Sequence, residues 1–280
     1  MRSFLVLSLL GSLLALFPAC SSDPVNTGAG ASDASGGAGG TGGTGGTGGA
    51  GGGGGSMAGC TEPAEVPCED QVLQQMNLQN DIAPGLLTSE PDGAGFRASI
   101  DATAGGAFVS DPDSYVYGKF TDSGLQKVEI SDEDSITSMD WDIAFRRYVV
   151  RINSGNSGPS CVAATRVPGA DVTYEGVNAA PENVPFRTDD YFSESCEVIP
   201  DGSGLPGSPA TALSAYWSYT NCVKMTGNVF VLRLADGRHV KLVVDSYYEP
   251  TAQEQCNTMD SVPMMGAGAA NFRIRWAFLP

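Results

Sequence analysis

The chain has 280 residues, a formal net charge of −17 and only 17% charged residues. So acidic a chain is disfavoured as a nucleic-acid binder, or as a ligand of anionic lipid head groups, through bulk charge. Its single His and the lack of a Cys-x-x-Cys pair argue against a zinc site.

In chain order, Arg2 precedes an apolar run from Phe4 to Phe17, and Phe17-Pro18-Ala19-Cys20 follows. A basic start, a short apolar stretch and a small residue before the cut predict a secretory signal over residues 1–19 rather than a membrane-spanning helix. Ala19-Cys20 resembles a bacterial lipobox, so Cys20 is the expected lipidation site. Ser21 and Ser22 do not resemble an inner-membrane retention signal, which points to the outer membrane. Without Arg2 the mature chain carries −18. Residues 20–59 are dominated by Gly, Ala, Ser and Thr with a GGT repeat. Such a segment cannot offset its ordering entropy and predicts a flexible tether spanning about 30–35 Å. Residues 60–280 remain, enough for one sizeable core. Of seven cysteines, six are left after lipidation: Cys60, Cys68, Cys161, Cys196, Cys222 and Cys256. An even number in an exported chain suggests disulfides, and sequence cannot choose the pairing; Cys60 with Cys68 is the most local option.

Glu69–Leu78 is the best helix candidate, with acids at its start and Val72 and Met76 on one face. Phe96–Thr103, Ser114–Phe120 and Leu125–Ile130 alternate as strands, and Thr121-Asp122-Ser123-Gly124 supplies a hairpin connection. Asp134–Ser138 reads as a turn or short helical start. Trp141–Ile152 (WDIAFRRYVVRI) reads as one strand whose buried face changes near Arg147, as at a bulge or bend. Trp141 is expected to anchor the core, and Asp142 to hydrogen-bond nearby turn backbone. Asn153–Pro159 carries residues that accept left-handed backbone geometry and ends that strand. Cys161–Thr165 and Ala170–Glu175 are short strand candidates. Asn178–Pro209 is proline-rich loop, and a loop that long is usually functional or mobile. Leu213–Thr220 leads through a loop, Asn221–Gly227, into Val229–Leu234 and His239–Tyr247, a hairpin turning at Ala235–Arg238. Asn271–Leu279 closes the chain. The predicted class is mainly β, with antiparallel sheets, one domain and few helices.

The stretch WDIAFRRYVVRINSGNSG, the later AYWSYT and the block ADGRHVKLVVDSYY occur in an order that resembles the HmuY-type haem-binding lipoproteins. SYVYGKF sits where that family has an aromatic strand. The resemblance spans Tyr115 to Phe278. It implies a hand-like β fold holding haem between projecting loops, and a lipoprotein at a bacterial surface that meets an outer-membrane receptor. Family members use paired His or paired Met as ligands. With His239 as the only His, a bis-His site is excluded within one chain, so Met225 becomes the first candidate. Met259, Met264 and Met265, read as lying in another loop, offer the second, and His239 reads as an ordinary strand position. The alternative is a non-enzymatic binding module for another small hydrophobic ligand or a protein partner. Asp132-Glu133-Asp134 and Asp189-Asp190 read as solvated loops or a chance calcium site. No Ser-His-Asp order or informative pair of acids suggests an enzyme.

Overall fold

The computed structural model describes residues 59–106, 109, 111–205 and 207–280. The expected signal peptide, lipidated Cys20 and nearly all of the tether lie outside the described residues. Among the described residues no helix is long and apolar enough to cross a membrane.

The fold is mainly antiparallel β, as the alternating sequence pattern predicts. Twelve strands follow in chain order: β1 Leu87–Asp92, β2 Gly95–Asp101, β3 Val116–Thr121, β4 Gly124–Val128, β5 Ile143–Arg146, β6 Val149–Ile152, β7 Ala163–Arg166, β8 Trp217–Tyr219, β9 Val223–Met225, β10 Val229–Arg233, β11 His239–Ser246 and β12 Asn271–Leu279. Helices α1 (Glu69–Gln75), α2 (Asp132–Ser135) and α3 (Pro250–Met259) lie between them. A six-stranded sheet runs β1-β2-β12-β11-β10-β7, a four-stranded sheet β4-β3-β5-β6, and β8-β9 form a separate ribbon.

The two larger sheets pack face to face. Phe230, Leu242, Phe272, Ile274 and Trp276 of one meet Val116, Phe120, Ile143, Phe145 and Ile152 of the other. Phe120 meets Trp276 edge-on at 4.8 Å, and Phe145 meets Phe272 at 5.3 Å. The four-stranded sheet is covered on its second face too. There Val72 and Met76 of the α1 segment, with Tyr191 and Phe192, close over Tyr115, Tyr117, Trp141 and Ala144. All four residues of β5 are therefore buried, and double burial erases the alternation a one-faced strand would show.

That erasure explains the first correction. Trp141–Ile152 is a hairpin, not one bent strand: Arg146 pairs with Val149, leaving Arg147 and Tyr148 as its loop. Arg147 takes a φ of 52°, the sign a two-residue hairpin loop normally assigns to Gly. Tertiary bonds hold it there, its N–H donating to Ala102 O at 2.7 Å and its guanidinium to Gly106 O at 2.9 Å. Ala170–Glu175 is not a strand, the predicted loop Asn221–Gly227 contains β9, and two further elements have no counterpart in the sequence reading. One is β1, which contains Pro91 and pairs only at the sheet edge. The other is α3, whose Pro250 sits at the first helical turn. Met225 lies on β9 rather than in a loop, and Met259 ends α3.

The cysteines pair as Cys60–Cys161, Cys68–Cys196 and Cys222–Cys256, with Cα separations of 6.1, 5.5 and 6.0 Å. The local Cys60–Cys68 pair is not formed; each instead ties the start of the domain to its middle.

Candidate binding site

Two regions concentrate polar and aromatic chemistry. The first lies behind β5 and β6. Asp189 is fully buried, and its carboxylate accepts from Ile152 N (2.8 Å), Ala212 N (2.7 Å) and Ser157 Oγ (2.6 Å). Ser157 Oγ also accepts from Arg151 Nε at 3.1 Å, so one hydroxyl links a buried guanidinium to a buried carboxylate. Arg151 stacks over Tyr115 at 4.8 Å and lies 5.8 Å from the Trp141 ring. Burial pushes the Asp189 carboxyl up to about 6, against the three donors that pull it down.

Asn153 and Asn156 extend this network. Asn153 donates to Ser138 O and Trp141 O and accepts from Ser160 N. Asn156 donates to Pro67 O and accepts from Phe192 N. Gly155, at φ 55°, is pressed so closely that a Cβ would lie 2.8 Å from Asp189 O. The turn residues after Trp141 thus fold inward, and their amides replace the strand partners a buried loop lacks. Asp132 plays a matching role beside α2, accepting from Tyr115 N, Tyr117 Oη, Gln79 N and Arg146 Nη1. Both acids expected in solvated loops are therefore hubs of the interior. Asp142 is also buried; its carboxylate accepts from the β3 strand N–H of Phe120 at 2.8 Å rather than from a turn, and burial raises it to about 6. The Asp189 and Asp132 carboxylates are themselves fully buried, while Tyr115 and Arg146, at the edge of the Asp132 network, line a cavity of about 220 Å³ with Arg147 and Tyr148.

The second region is open. Trp217 pairs with Met225 and Tyr219 with Val223 across the β8–β9 ribbon. The ribbon is clamped onto α3. Cys222 is bonded to Cys256. Met225 N donates to Asn257 Oδ1 (3.0 Å), and Gln253 Nε2 donates to Val223 O (3.0 Å). Asp260, just past α3, accepts from Thr220, Asn221 and Lys224. Tyr148, at the tip of the β5–β6 hairpin, reaches the same place: its ring lies 5.4 Å from Trp217, and its carbonyl accepts from Tyr216 Oη at 2.7 Å. Tyr148, Tyr219 and Met225 are each half-buried, and the Trp217 ring that meets Tyr148 also lies 6.4 Å from that of Tyr219. Burial raises the Tyr148, Tyr216 and Tyr248 phenols, so they stay protonated at neutral pH.

The sequence-derived ligand candidates do not all converge here. Met225 does. Met264 and Met265 are fully exposed, at 103% and 89%, on the segment that Asp260 fastens to the ribbon. His239 is not brought in. It pairs with Arg233 at the end of the β10–β11 ladder far from Val229, the residue that follows the ribbon. Its ring packs 5.8 Å from Phe186, and burial, helped by Arg233, lowers its pKa. Among the described residues no group of three His, Cys, Asp or Glu side chains could hold a metal ion. Sequence reading missed Tyr148, because it appeared to lie mid-strand, and Asn257, because α3 was not foreseen.

The family model for HmuY protein matches residues 111–259, a stretch that contains both the closed network and the ribbon. No curated protein matches the chain. Among solved structures, a Bacteroides vulgatus protein described as a candidate HmuY-like heme binding protein aligns with a TM-score of 0.40 and 16% identity, over 69% of this chain and 95% of that one. The apo HmuY analog of Tannerella forsythia aligns at 0.37 and 14% identity, over 71% and 99%. A Bacteroides fragilis protein described as a candidate lipoprotein aligns at 0.37 and 13%, over 67% and 90%.

Proposed function

The chain belongs to the HmuY family, and from that premise we propose that it is a bacterial lipoprotein that binds haem or a related tetrapyrrole for acquisition. In this reading Cys20 carries the lipid, residues 20–59 tether the domain, and the protein is held at the outer membrane, facing outward, where it meets a receptor. The observation that carries the ligand assignment is Met225: a half-buried thioether paired across the ribbon with Trp217 and sharing that ribbon with half-buried Tyr219, inside the stretch the family model matches. Thioether is an established axial ligand of haem iron, and aromatic faces suit a planar ring. Tyr148 and Tyr219 would contact the ligand, backed by the buried Trp217, and Met264 or Met265 would supply the second thioether from the segment anchored at Asp260. When bound, haem would supply a redox-active iron, which Met225 and one of Met264 or Met265 would hold.

Thioether favours reduced iron more than imidazole does, so binding should strengthen on reduction. Titrating the full chain with haemin, and then with reduced haem using a reductant that spares disulfides, tests this. A shifted Soret band that Met225→Ala weakens far more than His239→Ala supports the assignment. Wild-type affinity in Met225→Ala removes that residue from the site, and no Soret shift at all removes haem. The solvent-facing Met264 and Met265 favour a second reading, in which the ribbon engages an apolar patch on another ligand or protein. Cys20→Ser should release the chain from membranes; retention would mean a different anchor.

A further inference from the structure

We propose that the groove between α3 and the outer face of the six-stranded sheet binds a small organic anion through its carboxylate or phosphate oxygens. Arg97 and Arg273 are its cationic contacts and Ser246 its hydroxyl contact. The groove adjoins the ribbon, since Gln253 and Asn257 line it and also bond Val223 and Met225, but its proposed contacts take no residue of the haem reading.

The groove has a volume of about 580 Å³, within the range of small-ligand sites. Its floor is made by a β-bulge. The β11–β12 register shifts between Val244 and Ser246, so Val244 pairs with Ile274 but Ser246 with Arg273. Without the bulge, position 246 would face the core with residues 240, 242 and 244. With it, Asp245 and Ser246 both turn to the outer face, the re-aiming that bulges perform beside binding sites. Ser246 is 5% exposed, and its Oγ has no hydrogen-bond partner. A buried hydroxyl left unpaired costs stability, and this one lines the groove.

The groove also gathers guanidinium groups in a chain of net charge −17. Arg97 lies directly opposite Arg275, and Arg273 opposite Ser99, so Arg97 and Arg273 are diagonal neighbours. Like charges placed this way repel unless neutralised. Arg275 is neutralised by Asp245 at 2.9 Å and Glu175 at 2.6 Å. Arg97 has only Asp92, and Arg273 only Glu249 at 3.3 Å, all four groups being well exposed. Such exposed pairs contribute little and exchange readily. Guanidinium forks match carboxylate and phosphate oxygens. Across from them α3 presents Pro250, Gln253, Glu254, Asn257 and Thr258, a polar helical stripe. Exposed Glu254 also lines the groove and adds a negative charge that disfavours dense polyanions.

Isothermal titration of the full chain in detergent, with succinate and separately with inorganic phosphate, provides the test. Saturable heat with at least one, absent with chloride at matched ionic strength, is expected. Succinate alone would assign an organic acid, and both would assign the shared oxyanion chemistry. The double variant R97Q/R273Q should lose at least tenfold in affinity and Ser246→Ala several-fold, while Arg233→Gln, outside the groove, should bind as the parent does. Should the double variant not fold, amide shifts of Ser246 and Arg273 on adding succinate or phosphate to the parent decide instead. Absence of saturable binding by both probes, unchanged affinity in a folded double variant, or shifts elsewhere but not at Ser246 and Arg273, would overturn the proposal.

Discussion

The closed network behind β5–β6 and the open β8–β9 ribbon use opposite chemistry for opposite ends. The first buries charge and satisfies its carboxylate with three donors; the second leaves a thioether and two aromatic rings partly in solvent. In these two regions, then, the conspicuous polar residues build scaffold, whereas partly exposed apolar ones form the proposed haem surface. A buried charge is tolerated only where partners are fixed, so such a cluster cannot also open for a guest.

Substitutions that separate the two regions should show this contrast, with the largest effects on the scaffold side. Trp141, fully buried against Tyr117 at 4.9 Å, should cost about 3–5 kcal/mol on replacement by Ala, read by urea unfolding; a nearly unchanged midpoint would make it peripheral. Asp189→Ala should cost about 3 kcal/mol, because the buried Ile152 N, Ala212 N and Ser157 Oγ then lose their acceptor. If that variant bound haemin poorly while fully folded, the closed network would be part of the site and the contrast would collapse.

Removing Cys222–Cys256, which closes a 34-residue separation, should cost about 2–4 kcal/mol. Its signature is local: hydrogen exchange should quicken at Val223 and Met225, while the Trp141 indole N–H, bonded to Ser135 O, stays protected. Met225→Ala should cost only about 1 kcal/mol of stability, being half-buried, yet dominate any loss of haem affinity. The smallest effect is that of pH. Asp189 and Asp142 have folded pKa values near 6, above the unfolded carboxylate. The folded state thus binds more protons between about pH 4 and 6. Their contribution to stability should fall as pH rises through that window and level off above it. Carbon NMR titration of the two carboxyls checks this, and midpoints at ordinary values would remove the effect.

How far the sequence could be read depended on what covers each strand. β11 and β12 are legible almost to the residue because aliphatic and polar side chains largely alternate, and β10 because its continuous apolar run, buried on both faces, leads into a clear hairpin turn. The β5–β6 hairpin was hidden by burial on both faces and by a turn without Gly, held by tertiary bonds to Arg147. Asp189 looked solvated because acids usually are; its donors come from Ile152 and Ala212, far apart in sequence. Met225 is a ligand candidate through family resemblance and the scarcity of His, but its place on β9 was not legible, because the three-residue strand is too short to show a pattern. Ser246 was not legible, since a bulge changes facing without changing composition.

The disulfides have a mechanical consequence. A pull on residue 59 against Pro280 enters at Cys60 and crosses from Cys68 to Cys196, and later from Cys222 to Cys256. Only the runs 60–68, 196–222 and 256–280 carry the load. All of β3, β4, β5 and β6 lies inside covalently closed loops, so the four-stranded sheet and its buried network are force-shielded. The six-stranded sheet is loaded through β12, and the ribbon through β8, its strand on the loaded side of Cys222. Under tension the ribbon would feel the pull while Trp141 would not.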